Sequence, residues 1–212
     1  MGFLNFLNKT YHRNLLEKFL LKYKHLVKGK ILDIGSKNRR YDHLFEGEIT
    51  AIDVLPRPEF DVIKGDLINL SLQSNSFDSI LCVEVFEYLE PGNFKTGFKE
   101  IHKVLRRNGK AIITLPFYYT DHLDNIRVTY SYLLNYLTNL TLYKIKMFKF
   151  GNKYTSLYDM IRYSKIRKKS NKSRNYLYNF ILLFLYIAIR MFSLESKQDL
   201  FYSGIFIILT KL

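Results

Sequence analysis

Residues 30–53, KILDIGSKNRRYDHLFEGEITAID, decide the fold. Ile31, Leu32 and Ile34 make a short apolar run that breaks at Gly35. Such a run suits a strand buried on both faces. Gly35 permits a turn that a Cβ would resist. Residues 39–45 can form a short helix, and residues 49–52 make a second apolar run that ends at Asp53. Open α/β sheets hold adenosine-type ligands with a glycine turn after strand one and an acid at the end of strand two. The turn lets backbone approach the ligand, and the carboxylate accepts from the two ribose hydroxyls.

The pattern continues downstream. GDLINLSLQSNSFDSILCVEVFEYLEP follows at 65–91 and EIHKVLRRNGKAIITLPF at 100–117. With LDIGS at 32–36 and AID at 51–53, this ordered series resembles the class I S-adenosylmethionine-dependent methyltransferases, over about residues 28–135. The closest resemblance is to a subgroup frequent in surface-glycan and lipid biosynthesis. The fold this implies is α/β: a Rossmann-like, seven-stranded, mostly parallel sheet with an antiparallel last strand and helices on both faces. The cofactor it implies is S-adenosylmethionine, held by the loops at 33–37, 53–54, 66–67 and 84–85. The residues concerned are Asp33, Gly35, Ser36, Lys37, Asp53, Val54, Asp66, Leu67, Glu84 and Val85. In this resemblance Asp66 accepts from the adenine amine, and the Leu67 amide donates to a ring nitrogen. Where the family usually carries two further glycines, this chain has Lys37 and Arg39. Lys37 could fill the methionine pocket or pair with the methionine carboxylate.

Relatives also share an order of residues after strand five: Pro-Phe, then His, Asp, Arg and Thr. His122, Asp124, Arg127 and Thr129 stand at those positions. They leave a strand at its carboxyl end, which makes His122, Asp124 and Arg127 the acceptor-site candidates. Methyl transfer from a sulfonium is an in-line displacement. The protein must align the acceptor and, for a hydroxyl, help remove its proton. An imidazole titrates in the right range for that task. Two other readings stand beside this one: Asp124 and Arg127 as a structural ion pair, and Thr129 as the cap of a helix at 130–137. Tyr88 replaces a histidine that relatives usually have, and a phenol is no base near neutral pH.

A chain of 212 residues supports one domain with a core of its own. The domain expected is 1–212, with an N-terminal helix in 1–27 and a helical insertion at 151–203 before the last strand. Cys82 is the only cysteine, so neither an intramolecular disulfide framework nor a cysteine cluster for a metal is expected. No secretory signal is visible, which points to the cytoplasm. The net charge of +14 favours polyanionic partners, although a lysine-rich composition alone would produce the same figure. Residues 165–174, KIRKKSNKSR, carry six of the basic groups, and the apolar run 176–192 follows directly. That run is an interfacial anchor or lid over an anionic membrane, or a buried helix beside a solvated loop.

Three functions compete. The first is a methyltransferase for a small, glycan or lipid-linked acceptor, peripheral to the inner membrane surface. The second is an RNA methyltransferase, although no RNA-binding module is visible and LPFY at 115–118 poorly matches a base-amine motif. The third is a non-catalytic relative, suggested by Lys37 and Arg39. Nucleic acid is not the expected partner, and the sequence is silent on oligomeric state and on the acceptor atom.

Overall fold

The computed structural model describes residues 9–118, 124–166, 172–192, 194 and 200–212; at 164–166 and 172–178 it describes backbone only. The chain forms two compact units. The larger comprises residues 19–116, 123–148 and 205–212, and the smaller the described residues among 1–18, 117–122 and 149–204.

A seven-stranded sheet organises the larger unit. Its strands are β1 (Lys30–Ile34), β2 (Glu48–Asp53), β3 (Val62–Lys64), β4 (Phe77–Val83), β5 (Leu105–Pro116), β6 (Tyr143–Phe150) and β7 (Gly204–Lys211). They lie in the order β3-β2-β1-β4-β5-β7-β6, six of them parallel and β7 antiparallel, as the motif order implied. The order reverses at β1: β2 lies on one side of it and β4 on the other. That reversal opens a crevice at the carboxyl ends of the strands, where ligands of such sheets bind. Ile31, Leu32, Ile80, Leu81, Cys82 and Ile112 are fully buried, as continuous apolar strands covered on both faces should be. Ile205–Leu209 are likewise buried, because β7 lies between β5 and β6.

Helix α1 is Tyr11–Tyr23, α2 is Phe94–Val104 and α3 is Tyr130–Leu140. In α2 the apolar stripe Phe94, Phe98 and Ile101 is buried. Each such side chain contributes roughly 1.5–3 kcal/mol when removed from water. Phe98 also stacks on Phe86 with ring centres 4.3 Å apart. Thr129 caps α3 through its hydroxyl, which accepts from the Tyr132 amide at 3.2 Å.

One segment differs from expectation, and two others take their form, for local reasons. Residues 39–45 form a turn and a 3-10 turn at Asp42–Leu44, not a helix, since Arg39 sits at φ +53°. Residues 106–109 do not end α2. They form an irregularity inside β5, with Asn108 at φ +61°, because Leu105 already pairs with Phe77. Residues 86–88 make only a 3-10 turn.

The smaller unit contains α4 (Lys153–Ile166) and α5 (Lys172–Met191), between β6 and β7 in sequence, together with the start of α1. Asn152 caps α4, its side-chain oxygen accepting from the Tyr154 and Thr155 amides at 3.1 and 3.2 Å. Asp159 in α4 caps α1 across the sequence, accepting from the Tyr11 amide at 2.6 Å and the His12 amide at 2.8 Å. These are amides a helix N-terminus leaves without partners of its own. Burial raises the Asp159 carboxyl to about 6, while the two amides pull the other way.

Candidate cofactor and acceptor site

The turn after β1 is built as the sequence suggested. Gly35 has φ +71°, and a Cβ there would run into Val85 Cγ2, so the turn after β1 and the second residue beyond β4 approach closely. The Gly35 and Ser36 amides both donate to the Ile52 carbonyl, at 2.8 and 3.0 Å. The turn is thereby pinned to β2. Lys37 and Arg39, at the family's glycine positions, have φ +54° and +53°. The glycine-type backbone is retained without glycine. The Lys37 side chain is exposed, whereas the Arg39 guanidinium is engaged by neighbours. It donates to Asp42 Oδ2 at 2.7 Å, to Asp61 Oδ2 at 3.0 Å and to the Ile49 carbonyl at 3.2 Å.

Asp53 meets this turn. One of its oxygens accepts from the Lys37 amide and the other from the Leu55 amide, both at 3.0 Å. A carboxylate has about four acceptor positions, so two remain for a ligand's hydroxyls. Beneath the turn Asp33 is buried, with its carboxyl pushed up to about 8 chiefly by loss of water. The neighbouring Asp42 raises it further, and the Ser36 hydroxyl partly offsets this. Asp42 Oδ1 is buried and has no hydrogen-bond partner.

A cleft of about 340 Å³ lies at the ends of β2 and β3, lined by Ile52, Val54, Ile63, Gly65, Asp66 and Leu70 among others. Asp66 Oδ1 accepts from the Ile68 amide at 3.1 Å, and Leu67 is buried. Glu84, the residue after β4, has φ +57°, with its amide donating to the Thr114 carbonyl and hydroxyl, each at 3.1 Å. Backbone held in this sparsely populated region is a feature of ligand sites. Asp33, Gly35, Ser36, Lys37 and Asp53 are thus gathered at one turn, with Val85 against it. Val54 and Asp66 line the cleft at the ends of β2 and β3.

On the acceptor side, His122 lies outside the described residues. Asp124 and Arg127 form a two-pronged ion pair, in which Nε donates to Asp124 Oδ2, and Nη2 to Oδ1 at 3.0 Å. The segment docks on the turn after β4, where the Asn125 and Ile126 amides donate to the Glu87 carbonyl at 2.7 and 3.0 Å. Glu87 itself is buried and its Oε2 has no partner. Burial and the Glu84 charge hold its carboxyl well above the usual range. Among the described residues no three His, Cys, Asp or Glu gather as a metal site.

Compared with known proteins, residues 32–113 match the family model described as "Methyltransferase domain". Residues 32–113 are therefore similar to a methyltransferase domain. Among solved structures, a SAM-dependent methyltransferase from Archaeoglobus fulgidus is similar at 18% identity and TM-score 0.60, over 94% of each chain. N-methyltransferase NodS from Bradyrhizobium japonicum, in complex with S-adenosylhomocysteine, is 18% identical at TM-score 0.55 and covers 71% of this chain and 85% of its own. Phosphoethanolamine N-methyltransferase 2 from Haemonchus contortus, in complex with S-adenosylmethionine, is 13% identical at TM-score 0.56. The match spans 92% of this chain and 52% of that one. No curated protein sequence matches significantly.

Three further residues bear on the turn and its surroundings. Asp42 and Arg39 form the underside of the turn, and their i, i+3 spacing was the available signal. Glu87 is one of three acids within seven residues, Glu84, Glu87 and Glu90, and such spacing reads as surface until burial is known.

Proposed function

We propose that the protein transfers a methyl group from S-adenosylmethionine to a small, glycan or lipid-linked acceptor, working peripherally at the cytoplasmic face of the membrane. The single observation that supports this most is the union of the Gly35 turn with Asp53 through the Lys37 amide. It is the geometry an adenosine ribose needs, at the point where strand order reverses. The retained left-handed backbone at Lys37 and Arg39 supports a working donor site over a degenerate one. Asp53 holds the ribose hydroxyls. Asp66 and Leu67 hold the adenine, and Gly35 and Ser36 the methionine part, with Asp33 beneath. Glu84 and Val85 border the transferred methyl. His122 takes the acceptor's proton, and the paired Asp124 and Arg127 hold the segment that carries it. The whole chain serves as one domain, and the 151–203 insertion specialises it for its acceptor.

The test is transfer of label from methyl-labelled S-adenosylmethionine to fractionated cell extract. Label in the glycolipid or lipid-linked fraction, lost in His122→Ala, supports the reading. Label in RNA instead would replace the acceptor class.

A further inference from the structure

Helix α5 has a surface that the donor site leaves unexplained. Its described side chains are apolar on opposite sides. Leu182 and Ile189, seven residues apart, are 5% and 4% exposed and mark the inward face. Opposite them run Phe180, Phe184, Ile187 and Met191, at i, i+4, i+7 and i+11. Their exposures are 67%, 64%, 41% and 71%. Ile181 and Phe192 widen the stripe. A helix apolar all round belongs in a core or in a membrane, and this one has only its inward side in a core. A contiguous apolar patch of this kind marks an interaction surface. Among the described residues no helix is long and apolar enough to cross a membrane.

Charge decides between the occupants of such a face. Residues 153–191 contain nine Lys or Arg and a single acid, Asp159. That acid is buried as the cap of α1. A second copy laid against this face would bring two strongly cationic segments together, which their mutual repulsion opposes. A surface of anionic lipid takes both features: the acyl boundary receives the aromatic stripe, and the headgroups offset the cations.

We infer that the outward face of α5 docks the protein onto anionic phospholipid, with the helix lying in the interface plane. This assigns the surface for the membrane location proposed above, and it does not depend on which acceptor is methylated.

The experiment is sedimentation of the full chain with phosphatidylglycerol-containing vesicles, against vesicles of phosphatidylcholine alone. The wild type sediments with the anionic vesicles, and added salt weakens the binding without abolishing it. Phe180→Ser/Phe184→Ser/Met191→Ser lowers that affinity at least tenfold and leaves S-adenosylhomocysteine binding unchanged. Unchanged sedimentation of the triple variant would overturn the inference. So would a wild type that binds neither vesicle, whether it is a dimer that the variant splits or is retained only by RNA. The chain has no tryptophan. Phe184→Trp therefore gives a single reporter whose emission shifts to the blue on anionic vesicles, and no shift would equally contradict the inference. Loss of S-adenosylhomocysteine binding with docking intact would count against the donor site alone.

Discussion

Lys37 and Arg39 share a left-handed backbone and differ in what their side chains do. For a residue with a Cβ that backbone costs roughly 1–2 kcal/mol. Lys37 is exposed, so Lys37→Gly relieves the strain at little loss and should raise stability by about 1 kcal/mol. Arg39→Gly relieves the same strain but removes the links to Asp42, Asp61 and the Ile49 carbonyl. It should lower stability. Urea unfolding of both variants checks the pair, and the signs must differ. S-adenosylhomocysteine titration of Lys37→Gly also separates the two roles of that side chain: tighter binding means it blocked the methionine pocket, weaker binding that it paired with the carboxylate. Asp33 belongs to this scale too. Its carboxyl is raised from an ordinary 3.8 to about 8. The folded state then holds a proton that the unfolded state has lost, so stability is fully present below about pH 4 and declines as pH rises through about 8. Asp33→Asn should flatten that slope in cofactor-free protein. Melting temperatures across pH 4–9 test it, and an unchanged slope contradicts it.

At the scale of elements, Asp159 ties α1 to α4 by accepting two amides at the start of α1. Asp159→Ala leaves both donors buried and unsatisfied, at a cost of roughly 1–3 kcal/mol. A lower urea midpoint with an unchanged slope is the expected reading. Elements built on long apolar patterns were legible in the sequence: β1, β2, β4, the stripe of α2 and the final strand. Those set by side-chain placement were not. Residues 39–45 have helical composition, but Arg39 is spent on three partners in a turn. Residues 106–109 have the makeup of a helix end, yet strand pairing begins at Leu105. The cap at Asp159 spans 148 residues from Tyr11 and leaves no local trace.

For the whole molecule, the ordered motifs foretold the sheet and the turn that unites Gly35 with Asp53. They could not foretell that Asp33 and Glu87 would be buried acids, because burial is a property of the assembled core. They also left the 176–192 run between a core helix and an interfacial one; in the structure its residues 180–192 have one inward and one outward apolar face. The central claim remains that the Gly35 turn and Asp53 form a donor site. Calorimetric titration of the full chain with S-adenosylhomocysteine tests it most directly. The account predicts saturable binding by the wild type. Asp53→Ala should weaken it by about 1–3 kcal/mol, a factor of roughly five to two hundred, through lost hydrogen bonds to a charged group. No binding at millimolar ligand, or equal binding by Asp53→Ala, would contradict it.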